Sequence, residues 1–179
     1  NRVSVRFKEQ KGGVLARKLS ISNKLDARGK LIPTKLIATE NVDVHDEQKQ
    51  LRSQRLEADL VQRLKQVQVP ANPKTGTKPS TTKKLVLTIE SVLATDRVSL
   101  LNKADGSEVT GNELHADFTF DEAGKSIVRS ALVMGTRAAE GVAKIPAVLR
   151  RQFKSKDGRE TLTRLEVDKL NIEDAGRRV

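Results

Sequence analysis

Clusters of lysine and arginine are the residues of this chain best suited to chemistry with a ligand. They fall in "RVSVRFKEQKGGVLARK" at 2–18, "ANPKTGTKPSTTKK" at 71–84 and "LRRQFKSKDGR" at 149–159. Arginine presents a planar fork of donors that matches two phosphate oxygens, and lysine presents a mobile point charge. Such groups position a nucleic-acid backbone without reading its base sequence. We therefore predict a nucleic-acid contact made by Arg2, Arg6, Lys8, Lys11, Lys74, Lys78, Lys83, Lys84, Arg150, Arg151, Lys154 and Lys156.

The net charge of +11 is divided into blocks along the chain. Residues 1–39, 60–89 and 125–164 carry +8, +6 and +7, whereas residues 40–59 and 90–124 carry −3 and −6. One interpretation is that the basic blocks meet on a surface that contacts a polyanion. A second is that basic and acidic blocks pair between neighbouring subunits and set the register of an assembly. A third is that these runs are solvated faces with no ligand.

Motifs for enzymatic chemistry are incomplete. The "EAGKS" stretch at 122–126 resembles the end of a phosphate-binding loop, but the first glycine of that motif would fall at Thr119. His45 and His115 each lie beside acidic residues, a common surface arrangement, and cysteine is absent. No nucleophile elbow of the Gly-x-Ser-x-Gly type is present. We predict a non-enzymatic protein with no cofactor, no metal site and no small-molecule substrate.

Composition limits the core and the compartment. Apolar residues make up 36% of the chain, and the only aromatic residues are four phenylalanines. Aromatic stacking on bases and aromatic interface anchors are therefore scarce. The absence of cysteine fits a reducing compartment and is also compatible with the periplasm. No apolar run approaches the roughly 18–20 residues of a membrane helix, so we predict no membrane span. A virion or cytoplasmic particle is the favoured location.

Four Asp/Gly turns predict hairpins. They lie at 26–29, 104–107, 121–124 and 156–159, and runs rich in Val, Ile, Leu and Thr flank each of them. Aspartate tolerates bridge or left-handed backbone, and glycine adopts positive φ without a steric penalty. Four such turns indicate an antiparallel, hairpin-built sheet.

Two helices are predicted to pack on this sheet. Residues 46–67 place leucines and a valine at intervals of five, four, four and three, which indicates one long amphipathic helix. Its stripe consists of Leu51, Leu56, Leu60, Leu64 and Val67. The second helix covers 136–153, where Ala138, Val142 and Ile145 have helical spacing and Pro146 requires a kink or a new first turn.

The resulting prediction is a single α+β domain over residues 1–179 with a flexible basic arm at 70–84. Its predicted function is a basic structural or assembly subunit that contacts nucleic-acid phosphates, copies of itself or other subunits, as in a virion or ribonucleoprotein particle. The alternative is an envelope or periplasmic assembly factor that binds protein only and self-associates through complementary charge blocks.

Overall fold

Antiparallel β-strands dominate the computed structural model of the chain, which describes residues 2–7, 12–69, 80–120, 126–136, 145–154 and 160–173. The strands are β1 Val3–Phe7, β2 Gly12–Ala16, β3 Lys18–Leu25, β4 Leu31–His45, β5 Lys49–Val69, β6 Ser80–Asn102, β7 Glu108–Phe120, β8 Ser126–Met134, β9 Ala147–Lys154, β10 Glu160–Val167 and β11 Lys169–Glu173. The predicted α+β class is therefore wrong, because the described part of the chain is all-β.

One sheet contains all of these strands. Its centre follows chain order through β4, β5, β6 and β7. The outer edge of β4 is shared by β2 and β3, and the outer edge of β7 is shared by β8 and β9. Strands β1, β11 and β10 pair with β2, β8 and β9, respectively. All four predicted hairpins are confirmed as antiparallel pairs, namely β3–β4, β6–β7, β7–β8 and β9–β10.

The long helix predicted over 46–67 is wrong, because most of this segment is the strand β5. The four-residue spacing of Leu56 and Leu60 returns a side chain to the same face of a strand as well as of a helix. The odd interval from Leu51 to Leu56 spans a bulge, which changes the alternation of faces. Pairing with β4 on one side and β6 on the other makes this segment a strand and not a helix. No short sequence pattern within the segment indicates that pairing.

The second predicted helix, over 136–153, is also wrong where the structure describes it. Residues from Ala147 onward form β9, which pairs with β7 and β10. Pro146 directly precedes this strand, a position where its missing N–H does not interrupt the ladder. Residues 137–144 lie outside the described ranges. The arm predicted at 70–84 is divided in the same way: 70–79 lie outside those ranges, whereas the backbone of 80–84 begins β6.

Buried side chains form two clusters along β4–β7. Val42 and Leu56 belong to the first, to which β2 contributes, and Val98 and Leu114 belong to the second, to which β9 contributes. Most other members are alanine or valine. Burial of a valine or leucine side chain contributes about 1.5–3 kcal/mol, and alanine contributes less. The core is therefore thin, and its stability depends on the regularity of the strand pairing around it.

The same motif builds both clusters. Ala-Thr-Glu-Asn-Val at 38–42 in β4 corresponds to Ala-Thr-Asp-Arg-Val at 94–98 in β6, and Leu-x-Ala-Asp recurs at 56–59 and 114–117 in their partner strands. In each copy the third and fourth residues of the first segment have positive φ, between 57° and 66°. The ladder shifts register there. Because a bulge bends its strand, the alanine before it and the valine after it are both buried.

Gly111 lies on β7 opposite Val98, beside the bulge in β6, at a position where no side chain fits. A Cβ built on it would lie 2.6 Å from Val133 Cγ1 and 2.8 Å from the Met134 carbonyl oxygen on β8. Gly111→Ala is therefore expected to lower the free energy of unfolding by about 1–3 kcal/mol through overpacking. Urea denaturation of the two proteins measures this difference.

The double variant Gly111→Ala/Val133→Ala separates overpacking from a general loss of stability. Removal of the Val133 methyl groups relieves part of the clash, so the double variant should lose less stability than the two single variants together. Strictly additive losses would contradict the contact as the cause.

Candidate nucleic-acid interface

The structure locates some of the predicted phosphate-contacting residues and not others. Arg2, Arg6, Arg150 and Arg151 are exposed. The backbone alone is described for Lys83, Lys84 and Lys154, which lie in β6 and β9. Outside the described ranges lie Lys8, Lys11, Lys74, Lys78 and Lys156.

Strands β9 and β10 extend past the main sheet as a two-stranded ribbon. The pairing of β7 with β9 ends where Glu108 pairs with Arg150. From this point outward β9 pairs with β10, and we call residues 150–154 and 160–164 the β9–β10 ribbon. Arg150 and Arg151 are consecutive in β9 and both exposed, and consecutive strand residues point to opposite faces. Both faces of this ribbon therefore present arginine to solvent.

Two arginines are directly opposed at the base of this ribbon. The register pairs Arg150 of β9 with Arg164 of β10. Arg150 Nη1 lies 3.9 Å from Glu108 Oε2 on β7, and Arg164 forms an ion pair with Glu166 on its own strand. All four side chains are about one-third to one-half exposed. Exposed ion pairs of this kind contribute only about 0–1 kcal/mol, so they offset little of the repulsion between the arginines.

A second ribbon is formed by the outer halves of β5 and β6. We call residues 60–69 and 80–89 the β5–β6 ribbon, since β4 pairs with β5 as far as Asp59 and β7 pairs with β6 as far as Ser91. The register opposes Lys65 to Lys84 and places Lys83 opposite a glutamine. Here too, two cationic residues occupy directly opposed positions on a projecting ribbon.

The N-terminal candidates form a third and separate group. Arg6 lies in β1, which pairs with β2, and Arg2 directly precedes that strand. No strand pairing among the described residues joins β1 to either ribbon. The strand order places β4–β7 between β1 and β9. The predicted residues that the structure describes thus fall on separate elements of the sheet. The two ribbons project from it, as does the tip of the β3–β4 hairpin, which extends past the last pair of β4 with β5 at Lys35.

A polar depression of about 270 Å³ lies across β4–β7, on residues that alternate with the buried ones. Lys35 Nζ lies 2.7 Å from Glu57 Oε2, and Ser91 Oγ donates a 2.7 Å hydrogen bond to Asp59 Oδ2. The hydrogen bond from Lys35, followed by that from Arg55, lowers the pKa of Glu57 below its ordinary 4.5. The Glu57 hydrogen bond and charge raise the pKa of Lys35 in turn.

Ser91, His115 and Asp117 line the same depression but do not form a catalytic arrangement. Ser91 Oγ donates to Asp59, and His115 Nε2 is hydrogen-bonded to Glu113 Oε1. The serine hydroxyl and the imidazole are therefore each bonded to a different carboxylate. An activated serine nucleophile instead needs a hydrogen bond between its hydroxyl and the imidazole. Among the described residues, no group of three or more His, Asp or Glu side chains could hold a metal ion.

Sequence reasoning missed this polar face, although one signal was available. The two Leu-x-Ala-Asp segments place Asp59 and Asp117 at equivalent positions, and each accepts a hydrogen bond from a serine one strand along, Ser91 and Ser130. Recognition of the repeat would have aligned these residues across the sheet. The repeat is short and interrupted by unrelated residues, so it does not stand out in the sequence.

Comparison with known proteins identifies no relative: no family model, curated protein or solved structure matches the chain. The described part of the chain contains no helix of the length and apolar character needed to cross a membrane.

The Lys35–Glu57 pair predicts a specific dependence of stability on pH. Because the pKa of Glu57 is lower in the folded state, its contribution is present above pH 4.5 and is lost as the pH falls through the folded-state value. Glu57→Gln should therefore be less stable than the wild type at neutral pH, and the difference should vanish in acid. Thermal melts across this pH range measure it.

Asp96→Asn is the matched control for this experiment. Asp96 is an exposed carboxylate at the β6 bulge and has no ion pair with another described residue. Its replacement should leave the pH dependence of the wild type unchanged. A Glu57→Gln protein that keeps the wild-type pH profile would contradict the assigned role of the pair.

Proposed function

We propose that this chain is a non-enzymatic structural subunit whose projecting cationic ribbons contact nucleic-acid phosphates within a larger assembly, such as a virion or ribonucleoprotein particle. One observation carries the proposal: like charges are directly opposed on both ribbons, Arg150 to Arg164 and Lys65 to Lys84. Like charges opposed across an antiparallel pair destabilise it. An anion bound beside each pair removes that repulsion.

The shape of the ribbons supports the same function. An isolated two-stranded antiparallel ribbon is narrow enough to enter the major groove of a duplex or to lie along a single strand. The β9–β10 ribbon presents Arg150 and Arg151 on opposite faces, so phosphates on either side of it are within reach. Arginine forks suit bidentate contacts with those phosphates.

Composition determines what kind of nucleic-acid binding this would be. The chain has no Trp or Tyr and only four Phe, so base stacking contributes little. Affinity would come from neutralising phosphates and releasing counterions, which depends steeply on salt and weakly on base sequence. The partner class is thus nucleic acid bound without sequence specificity.

Neutralising the β9–β10 ribbon should weaken this binding selectively. Arg150→Gln/Arg151→Gln removes two phosphate contacts, so the slope of log affinity against log salt on duplex DNA should fall in magnitude by about 2, at roughly 0.9 per contact. Both side chains are exposed, so stability should change by about 0.5 kcal/mol or less. Fluorescence anisotropy with labelled DNA and RNA, repeated over a range of salt, measures the slope.

Arg28→Gln/Lys30→Gln is the control for net charge. It removes the same number of charges from the exposed β3–β4 turn, where these residues bond to Asp26 through their backbone atoms: both N–H groups donate to Asp26 Oδ1, and the Lys30 carbonyl accepts from the Asp26 N–H. This variant should keep the wild-type slope. An equal fall of the slope in both variants would mean that net charge alone determines binding. The proposal would be overturned if the wild type failed to bind any nucleic acid at low salt.

A further inference from the structure

The outer edge of β3 is unpaired among the described strands, since β3 pairs with β4 alone. At the end of this hairpin the Asp26 N–H donates to the Lys30 carbonyl, so the backbone groups of Asp26 face β4. In an antiparallel ladder this direction alternates from one residue to the next. An unpaired row of backbone groups is a template for another strand. The residues that direct their N–H and C=O groups away from β4 are Leu19, Ile21, Asn23 and Leu25.

The repeat in the sheet indicates that this edge can accept a strand. Residues 19–22 of β3 pair with β4 in the same register in which residues 56–59 of β5 pair with β6. At this level β5 has a strand on each side, and its Ala58 is 3% exposed. Ile21 is the equivalent residue of β3 and is 41% exposed. A strand beside β3 would cover Ile21 as β4 covers Ala58.

We propose that β3 pairs in antiparallel orientation with β3 of a second copy of this chain. A two-fold axis perpendicular to the sheet relates the copies, so each face of one sheet continues as the same face of the other. Opposed residues must then share a face and direct their backbone groups toward each other. Because both properties alternate along a strand, odd-numbered residues pair only with odd-numbered ones and even with even.

Charge selects the register centred on Ser22 among those that this rule allows. In this register Lys18 lies opposite Asp26 of the second copy, and the symmetry repeats the pair. Lys18 is 74% exposed beside Glu40 of its own chain, and one Asp26 oxygen accepts backbone N–H groups of its own turn. One neighbouring register opposes Lys18 to Lys24 of the second copy, which is unfavourable. The other shortens the ladder and leaves Lys18 beyond its end.

Apolar contacts and hydrogen bonds fit the same register. Leu19 packs against the first core cluster, and it lies opposite Leu25 of the second copy, a residue 67% exposed in the free chain. Ile21 lies opposite Asn23 of the second copy. All four outward-directed residues of each β3 are thereby paired, which forms about eight backbone hydrogen bonds between the copies.

The dimensions of this edge indicate a weak interface. Residues 18–26 of each copy span about 30 Å at roughly 3.3 Å per residue. The contact is one strand wide, so it buries less than the roughly 1,200 Å² in total that standard stable interfaces bury. The free dimer therefore forms in a concentration-dependent manner.

Sedimentation velocity over a range of concentration tests the proposal, with full-length chain free of nucleic acid at low salt. The wild type should shift from monomer to dimer as concentration rises. Ser22→Glu should raise the dimer dissociation constant by about fivefold, because the two new carboxylates oppose each other across the axis. Within one copy residue 22 lies opposite Lys35, so the variant should keep the fold, which thermal melts check.

Ser20→Glu is the matched control. It makes the same substitution two residues away on the same face of β3, and both serines are exposed. Its carboxylate lies opposite Lys24 of the second copy, so it should lower the dissociation constant by about fivefold. Equal weakening by both variants would refute this register. A wild type that stays monomeric at all concentrations would overturn the proposal.

Ile21→Pro tests the backbone pairing itself. The Ile21 N–H points away from β4, so proline leaves the β3–β4 ladder intact and removes a donor from the outer edge. This variant should lose the dimer and keep the fold, and one that dimerises like the wild type would contradict strand pairing. The edge contains none of the proposed phosphate contacts, so Arg150→Gln/Arg151→Gln should dimerise normally. Failure of self-association is thus distinguishable from failure of nucleic-acid binding.

Discussion

Backbone pairing among β4, β5, β6 and β7 is the constraint on which the rest of this structure depends. The side chains it buries are small, mostly alanine and valine, and none of the buried side chains that the structure describes is aromatic. A core of this kind gains little from any one residue, so it requires long, continuous ladders that place many small side chains in register. The paired bulges at 38–42 in β4 and 94–98 in β6 belong to the same constraint, because they bend the two strands on either side of β5 at the same level, beside Ser53 to Arg55.

The same strands that build the core also leave it. The inner part of β5 lies between β4 and β6, and its outer part pairs with β6 alone among the strands that the structure describes. Position along one strand thus changes the environment of similar residues: Leu56 is 3% exposed, and Leu64 is 63% exposed. The spacing of the leucines is the same in the inner and outer parts of β5. The number of described strands that pair with it falls from two to one. The projecting ribbon is therefore a consequence of strand length, since β5 and β6 are far longer than β3 and β8.

Charge is arranged on this frame in two ways. Across the polar face of β4–β7, opposite charges meet, as in the Lys35–Glu57 pair, and serines satisfy the remaining carboxylates. On the ribbons, like charges are opposed by the register. Pairing across the polar face is therefore between opposite charges, whereas the register of the ribbons sets cations opposite one another. This contrast is the reason why we propose that the ribbons contact an external anion and that the polar face has a structural role.

The sequence alone determined the hairpins, the absence of large aromatic anchors and the excess of positive charge, because turns, composition and net charge are local or additive properties. It correctly placed antiparallel pairing around the Asp/Gly turns. It did not determine that residues 49–69 form a strand, since spacings of four fit both periods and the paired residues that decide between them lie as far apart in the chain as Lys49 and Asn102. Nor did it show the opposed cations or the polar face. Each of these depends on cross-strand register, and register is a property of the tertiary structure that results from burying one face of the sheet.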